Sequence, residues 1–210
     1  MKLYSYWRSS AAYRVRIALN LKGLETEYVP VNLLAAEHKA QDYLHRNAAG
    51  LVPTLELDDG RCLTQSLAII DYLETLKPDP ALLPADPVER ARVQSMAYTV
   101  ACEIHPLNNM GVLNYLKAEY NADQARLNQW MYNWLERGFT TMEAELSGAP
   151  YCRGESVTLA DVLLVPMAYN ALRFEYPMAE RHPGLYAVVQ ACNALPAFAA
   201  ARPEEQPDAA

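Results

Sequence analysis

Two serines stand where the chain passes from an extended segment into a helix, a position that suits the activation of a thiol. Residues 2–6 predict a strand, and from Ala11 onward apolar residues recur at helical spacing until Gly23. Ser9 and Ser10 lie between the two, where the helix begins. The first N–H groups of a helix are unpaired and carry partial positive charge, so they stabilise a thiolate, to which a hydroxyl can also donate. A helix cap without a catalytic role is the commoner function of such a pair.

Three arginines close to this turn favour an acidic ligand. Arg8 directly precedes Ser9, and Arg14 and Arg16 follow on the predicted helix. Guanidinium groups bind carboxylates through two parallel hydrogen bonds, so an acidic substrate suits this neighbourhood. For at least one of Arg14 and Arg16, a solvated or interdomain-paired helix face is the stronger interpretation.

The composition indicates a globular protein of one or two domains. The 210 residues are 51% hydrophobic, enough to bury a core, and the net charge is −7. The sequence has no polybasic run and no apolar run of membrane length, so we expect no nucleic-acid partner and no membrane association. The first residues have no apolar stretch, which predicts no secretion signal and a cytoplasmic location. The four cysteines lack the spacing of a zinc site or a disulfide framework, so we expect no metal and buried or half-buried thiols.

The first part of the chain predicts alternating strands and helices. We expect a second strand over residues 25–33, a short polar helix over 36–46, a hairpin with an Asp-Gly turn over 51–64, and a helix over 67–74. Strand–helix–strand implies a parallel pair of strands. The resulting order, β-α-β-α-β-β-α, is that of an α/β thioredoxin-like domain.

Two further points in this domain suit a peptide ligand. Pro53 stands directly before the third strand, where thioredoxin-like folds place a cis proline that exposes the backbone of Val52 to an extended peptide. From Pro53 alone, an ordinary trans proline at an edge strand is the stronger interpretation, but the Gln65-Ser66 pair after the hairpin favours the cis proline. Gln65 and Ser66 precede the next helix and offer a second set of free N–H groups. Since the first turn has serines in place of paired cysteines, the domain needs a ligand's thiol, and a γ-glutamyl tripeptide suits all three features.

A proline-rich linker over residues 79–87 separates this N-terminal domain, residues 1–78, from a C-terminal domain over 88–210. The pattern after the linker is helical and predicts an all-α bundle. Thr158 and Asp161 have the spacing of a capping box, and we assign them to folding.

A proline within the helical domain predicts a second cluster of polar candidates. Pro106 should kink its helix and direct His105, Asn108 and Asn109 toward a cleft. The alternatives are a satisfied core or interdomain position for His105 and a helix-bending polar patch for the two asparagines. The tail after Pro203 is polar, and we expect it to be loose.

Several segments together resemble the zeta-class glutathione transferases, a family that includes maleylacetoacetate isomerases and bacterial maleylpyruvate isomerases. They are residues 4–10, 14–19, 51–53, 65–70, 82–84, 104–109, 158–161, 164–166 and 173–174. The resemblance implies the glutathione transferase fold, a thioredoxin-like domain followed by a helical bundle. It also implies glutathione as cofactor and a two-fold homodimer.

The resemblance implies an enzyme that isomerises a small dicarboxylate, a maleyl diketo acid, by reversible addition of the glutathione thiolate to its double bond. Maleylacetoacetate is the leading substrate. The alternatives are a maleylpyruvate isomerase, a general glutathione transferase or peroxidase, and a non-catalytic binding module. The implied catalytic residues are Ser9 and Ser10. The implied glutathione ligands are these two with Val52, Pro53, Gln65, Ser66, His105 and Asn109, and the implied substrate ligands are Arg8, Asn108 and Arg173.

Two positions depart from the family pattern. Ala11 stands where the family often has a cysteine after the two serines, and the resemblance implies that this cysteine is dispensable for isomerisation. Gly111 stands where bacterial relatives often have an arginine, a difference that bears on which acid is bound. The choice between the two maleyl acids stays open.

Overall fold

The computed structural model describes residues 1–209, which divide into two compact units. The first unit comprises residues 1–81 together with the described residues from Ala194 onward, and the second comprises residues 82–193. The prediction placed every residue after 87 in the helical domain, whereas the described residues from Ala194 onward belong to the first unit. Hydrogen bonds explain the difference: Nε of Arg16 donates to the carbonyl of Ala201 at 3.1 Å, and Nδ2 of Asn20 donates to the carbonyl of Ala197 at 2.9 Å.

The first unit is built on a four-stranded sheet with the order β2-β1-β3-β4. Strands β1 and β2 are parallel, whereas β3 is antiparallel to both β1 and β4, so β1 and β4 run in the same direction. The predicted order of elements along the chain, β-α-β-α-β-β-α, and the predicted parallel pair are confirmed. The strands are β1 Lys2–Ser5, β2 Glu27–Pro30, β3 Thr54–Glu56 and β4 Cys62–Thr64.

Two helices of the first unit follow strands that run in the same direction. Helix α1, Ser10–Lys22, follows β1, helix α3, Ser66–Leu76, follows β4, and the two helices pack against each other. Gly23 ends α1 with φ 57°, the left-handed conformation expected of a glycine at this position. The core between helices and sheet is apolar and fully buried, with members that include Leu3, Ile17, Leu55, Ile69 and Leu73.

The polar segment between the second and third strands is not the single helix that was predicted. It consists of a 3₁₀ turn, Glu37–Lys39, and helix α2, Gln41–Leu44. Ala40 separates them because its backbone is extended, with φ −65° and ψ 144°. Periodicity over so few residues does not reveal such a break.

The second unit is helical, as predicted. No helix among residues 1–209 combines the length and the apolar character needed to cross a membrane. The helices of the second unit are α4 Pro87–Tyr98, α5 His105–Asn108, α6 Met110–Tyr120, α7 Gln124–Ala144, α8 Leu159–Arg173, α9 Met178–Arg181 and α10 Pro183–Asn193. The returning segment of the first unit adds helix α11 Pro196–Ala199 and a 3₁₀ turn Pro203–Glu205.

The predicted capping box is present at the start of α8. The Asp161 side chain is fully buried, and its Oδ2 accepts a hydrogen bond from the N–H of Thr158 at 2.8 Å. Its Oδ1 accepts a second one from the N–H of Cys152, also at 2.8 Å. The carboxylate therefore joins the preceding loop to the helix, and the structural role expected of Thr158 and Asp161 fits this geometry.

The chain around Pro106 departs from the expected single kinked helix. A π-helical segment, Thr99–Ile104, precedes α5, and the N–H of His105 bonds to the carbonyl of Val100. Asn109 then breaks the helix because its backbone is extended, with φ −75° and ψ 159°. The interruption therefore has two parts, a widened turn before Pro106 and a true break after α5.

The four cysteines are free thiols. Cys152 and Cys192 are buried and Cys62 is half-buried, as expected, but Cys102 is exposed. The expectation for Cys102 is wrong because the residue lies on the solvent-facing side of the π-helical segment, where helical periodicity does not predict burial.

Candidate active site

The sheet topology brings the predicted thiol site and the predicted peptide-binding features to one edge of the first unit. Because β1 and β4 run in the same direction, α1 and α3 both begin at the same edge of the sheet. Strand β3 runs in the opposite direction, so Val52 and Pro53, which precede it, lie at that edge too. The register confirms this alignment, since Thr54 pairs with both Tyr4 and Thr64.

Ser9 caps α1 and keeps a hydroxyl proton for a ligand. Its backbone is extended, with φ −70° and ψ 115°, and its Oγ accepts a hydrogen bond from the N–H of Ala12 at 3.2 Å. A hydroxyl can accept one hydrogen bond and donate another, so the cap leaves the O–H available. Ser10 is the first residue of α1 and is 9% exposed. The two serines therefore combine a helix N-terminus with hydroxyl donors, as thiolate stabilisation requires.

The start of α3 has an unusual backbone and a buried hydrogen bond to α1. Gln65 has φ 69° and ψ 118°, a conformation that costs a residue with a side chain about 1–3 kcal/mol and that clusters at ligand-binding sites. Oγ of Ser66 accepts a hydrogen bond from Nη1 of Arg14 at 3.3 Å. Since Arg14 is only 2% exposed, it does not form a solvated face. Arg14 therefore joins α1 to α3, the two helices that begin at the same edge of the sheet.

The peptide bond between Val52 and Pro53 is cis, as predicted. Val52 lies outside the β ladder because β3 begins only after Pro53. The preceding carbonyl, that of Leu51, accepts hydrogen bonds from the hydroxyl of Tyr43 at 2.6 Å and from Nδ2 of Asn47 at 2.7 Å. The sequence offered no motif for Tyr43 and Asn47, which come from the polar segment around α2, and only the folded chain shows that they hold this loop.

The arginines near the turn have different environments. Arg8 is exposed, and its guanidinium carbon lies 4.2 Å from the centroid of the Trp7 ring, so its donors can reach a carboxylate. Arg16 is only 4% exposed, and its Nε, Nη1 and Nη2 all donate hydrogen bonds within the first unit. Arg16 is therefore a structural residue, whereas Arg8 remains a candidate ligand.

In the second unit, the two asparagines that were expected to bind ligands serve the helices. Asn108 is 4% exposed, and its Nδ2 donates to the carbonyl of Met131 on α7 at 3.3 Å. Oδ1 of Asn109 accepts from the N–H of Val112 at 3.0 Å, and its Nδ2 donates to the carbonyl of Pro106 at 2.7 Å. This geometry argues against the expected ligand roles of Asn108 and Asn109 and fits the alternative, a polar patch that bends the helix.

His105 and Arg173 remain candidates in the second unit. His105 is half-buried at the start of α5, and Arg173 is exposed at the end of α8. Nη2 of Arg173 donates to Oδ1 of Asn170 at 2.9 Å, and its guanidinium carbon lies 4.4 Å from the Phe174 ring centroid. The hydroxyl of Tyr132 on α7 donates to the carbonyl of Phe174 at 2.6 Å. Tyr132 directly follows Met131, whose carbonyl accepts the hydrogen bond from Asn108 of α5. Tyr132 was not singled out in the sequence, where it lies within an aromatic-rich helix without any local signal.

Known proteins resemble this chain over its whole length. Models of the glutathione S-transferase N-terminal and C-terminal domains match residues 1–75 and 133–196. The maleylacetoacetate isomerase of Pseudomonas aeruginosa is 45% identical, with 99% of this chain and 98% of that protein covered. A holo structure of a maleylpyruvate isomerase, described as a bacterial zeta-class glutathione S-transferase, is 44% identical with a TM-score of 0.96 and both chains fully covered. This chain belongs to the zeta-class glutathione transferase family.

Membership of the zeta class confirms the fold expected from the resemblance, a thioredoxin-like domain followed by a helical bundle. A third relative carries an informative ligand. The maleylacetoacetate isomerase of Anaeromyxobacter dehalogenans was solved with dicarboxyethyl glutathione and citrate in its active site. It is 42% identical with a TM-score of 0.88, and 100% of this chain and 97% of that chain are covered.

Proposed function

We propose that the protein catalyses the glutathione-dependent cis–trans isomerisation of maleylacetoacetate to fumarylacetoacetate. One observation carries the proposal: the capped start of α1, the Val52 backbone and the strained start of α3 converge at one edge of the sheet. Family membership supports it, because relatives are named maleylacetoacetate isomerase and one was solved with dicarboxyethyl glutathione in its active site. A thiol that adds to the double bond of an unsaturated diacid gives such an adduct.

Each of the three features at the edge suits one part of glutathione. The sulfur lies against Ser9 and Ser10, where the hydroxyl groups and the N-terminus of α1 favour the thiolate. The extended backbone of the tripeptide pairs with that of Val52. The γ-glutamyl carboxylate binds the free N–H groups and the hydroxyl at Gln65 and Ser66. Each unit by which the site lowers the thiol pKa is worth about 1.4 kcal/mol.

The reaction needs a nucleophile that adds and then leaves. The glutathione thiolate attacks one alkene carbon, a C–S bond forms, and the π electrons move into an enolate on the conjugated ketone. The former double bond is now single, so it rotates. The enolate then collapses, the C=C bond forms again in the trans geometry, and the C–S bond breaks to return the thiolate. Atoms and charge balance without any other reactant.

Cationic side chains bind the two carboxylates of the substrate in this proposal. Arg8 and Arg173 take this role because both are exposed and present guanidinium donors. His105 contributes to the glutathione or substrate site from the start of α5. Asn108 and Asn109 are left out because their amides serve the helices.

Maleylpyruvate isomerisation is the second candidate function. The holo maleylpyruvate isomerase, with a TM-score of 0.96, supports it. The two substrates differ only in the tail beyond the reacting diketo acid, so the thiol chemistry at Ser9 and Ser10 is the same for both. The residues that contact the tail decide between them.

The test is an assay of the purified protein with each maleyl acid, with and without glutathione. We expect glutathione-dependent formation of the trans product, with a higher kcat/KM for maleylacetoacetate. A higher value for maleylpyruvate would favour the second candidate. A chloronitroaromatic conjugation substrate provides a third arm, and turnover of this compound alone would indicate a general transferase. Isomerisation of neither acid would reject the proposal.

The proposal also includes a two-fold homodimer in the cytoplasm. The dimer is supported by analogy with the family. The cytoplasmic location is supported by the four cysteines, which are free thiols, as is usual in a reducing compartment. Light scattering of the purified protein measures the assembly, and a monomeric mass would contradict the dimer.

A further inference from the structure

The backbone of Trp7, just before the thiol-binding turn, is held on both sides. Its N–H donates a hydrogen bond to Oδ2 of Asp208 at 3.1 Å, and its carbonyl accepts one from Nη2 of Arg16 at 3.0 Å. Trp7 is 8% exposed and is followed by Arg8 and Ser9. Any shift of Trp7 therefore moves the serine that caps α1.

Asp208 is itself fixed to the sheet. Its Oδ1 accepts a hydrogen bond from the hydroxyl of Tyr28 at 2.6 Å. Tyr28 lies in β2, where it pairs with Leu3 of β1, the strand that leads into the turn. Both oxygens of the carboxylate are thus occupied, one by Tyr28 of the edge strand β2 and the other by the turn. An ionised acceptor makes stronger hydrogen bonds than a neutral one.

The segment that carries Asp208 has its own attachments to the first unit. Nδ2 of Asn20 on α1 bonds to the carbonyl of Ala197 at 2.9 Å, and Nε of Arg16 bonds to the carbonyl of Ala201 at 3.1 Å. Nε2 of Gln206 donates to the carbonyl of Ala200 at 3.0 Å, which closes the segment on itself. The expectation of a loose tail is wrong for the described residues. These bonds also mean that loss of the Asp208 side chain leaves the segment attached.

We propose that Asp208 is a positioning residue for the thiol-binding turn, because it holds the N–H of Trp7 so that the Ser9 hydroxyl meets the glutathione sulfur. This inference rests on the proposed function. Asp208 acts through Trp7 and touches neither glutathione nor substrate. Its contribution is preorganisation, since a donor displaced by about 1 Å from the reacting atom can cost two orders of magnitude in rate.

The experiment compares variants of Asp208 with a matched control in the same segment. Asp208→Ala removes both hydrogen bonds. Asp208→Asn keeps the shape, and its amide can still accept from Trp7 while it donates to the oxygen of Tyr28. Tyr28→Phe removes the anchor of Asp208 on the sheet together with the contact of the same hydroxyl to Ser5, and leaves the bond between Asp208 and Trp7 in place. Glu205→Ala removes a charge from an exposed residue of the same segment and is the control.

Two readouts separate a positioning role from a merely structural one. The ultraviolet absorbance of the bound glutathione thiolate, followed against pH, gives the pKa of the thiol on the enzyme, and kcat is measured per folded molecule. For Asp208→Ala we expect a thiol pKa raised by about half a unit or more and a kcat lowered about tenfold. We expect Asp208→Asn to restore both values, Tyr28→Phe to show a smaller shift in the same direction, and Glu205→Ala to match the wild type.

The outcomes are distinct. If Asp208→Ala lowers only the thermal midpoint, with thiol pKa and kcat unchanged, the inference is wrong while the proposed function stands. If Asp208→Ala does not fold, Tyr28→Phe decides, and a wild-type thiol pKa in that variant overturns the inference. A wild-type protein that binds no glutathione would reject the inference together with the proposed function.

Discussion

The hydroxyl oxygen of Ser9 accepts a hydrogen bond from the backbone N–H of Ala12 at 3.2 Å. This bond pairs one of the open N–H groups of α1 and leaves the serine proton directed away from that bond. The residue that caps the helix therefore also keeps a hydroxyl proton that can be donated to the thiolate of the proposed complex. If the proposed function is right, stability and catalysis at this turn depend on the same side chain.

Replacement of Ser9 by alanine tests both roles. Ser9→Ala should lower kcat/KM about 100-fold, because an oriented donor to a developing charge is lost. It should also lower the free energy of unfolding by about 1 kcal/mol, because the cap is lost. Ser9→Thr keeps a hydroxyl and should retain much of both. Steady-state kinetics and urea unfolding measure the two effects.

A second helix cap provides the control for Ser9. Asp123 caps α7, where its Oδ1 accepts from the N–H of Arg126 at 2.9 Å. Asp123→Ala should cost a similar free energy of unfolding, about 1 kcal/mol, and leave kcat/KM per folded molecule unchanged. Full activity of Ser9→Ala would transfer the thiol-donor role to Ser10.

Ser66 should affect glutathione binding more than turnover. Ser66→Ala removes a hydroxyl that accepts from Arg14 at 3.3 Å and that, in the proposed complex, faces the γ-glutamyl carboxylate. The carboxylate is remote from the reacting sulfur, so KM for glutathione should rise several-fold, about 1 kcal/mol, with little change in kcat. Thr75→Ala, at the far end of the same helix, is the matched control because its hydroxyl only bonds to the carbonyl of Asp71. An unchanged KM in Ser66→Ala would remove Ser66 from the glutathione site.

Lys22 should be a strong determinant of stability. Its Nζ is fully buried, lies 2.5 Å from Oε1 of Glu74, and donates to the carbonyls of Pro78 and Pro80 at 3.0 and 2.6 Å. Lys22→Met leaves the Glu74 carboxylate and two carbonyls without this donor, and we expect a loss of about 3–5 kcal/mol in the free energy of unfolding. Lys117→Met, at an exposed position of α6, should change it by less than about 0.5 kcal/mol. Equal urea midpoints for the two variants would contradict the prediction.

A polar cluster in the second unit should make stability fall in acid. Glu136 accepts from Arg181 at 2.6 Å and from Tyr176 at 2.5 Å, and these hydrogen bonds lower the pKa of Glu136 to about 2. His182 lies 2.8 Å from the Tyr176 hydroxyl, and burial lowers its pKa. Both groups hold their protons more weakly when folded, so the unfolded chain binds more protons in acid. Stability should therefore fall as the pH drops below 6.5 for His182, and from 4.5 to about 2 for Glu136.

The variant Glu136→Gln isolates the carboxylate contribution. It should be less stable than the wild type at neutral pH, and the difference should shrink as the pH falls from 4.5 to about 2. Glu119→Gln, at an exposed position of α6, should follow the wild-type curve at every pH. Thermal unfolding as a function of pH measures both curves. A difference that does not depend on pH would mean that Glu136 does not act through its charge.

Local features of the fold could be predicted because they depend on residues that are close in the chain. The Ser9 cap, the Gly23 helix end and the capping box of Thr158 with Asp161 each involve partners only a few positions apart. The order of strands and helices along the chain and the parallel pairing of the first two strands followed from the same kind of pattern. Predictions for short segments failed where a single residue with an extended backbone, such as Ala40, divides a stretch whose periodicity indicates one helix.

For the candidate site, the sequence by itself determined which residue types are available: two serines at a helix start, a proline before a strand, a Gln-Ser pair and several arginines. Only the tertiary structure decided which of these side chains are buried in contacts within the fold and which are exposed. It bonded the amide nitrogen of Asn108 to the carbonyl of Met131, bonded Arg16 to the carbonyl of Ala201, and joined Asp208 to Trp7 across 201 positions of sequence. The reason is physical: spacing along a chain fixes which face of an element a side chain occupies, but a partner remote in sequence is selected only when the whole chain has packed.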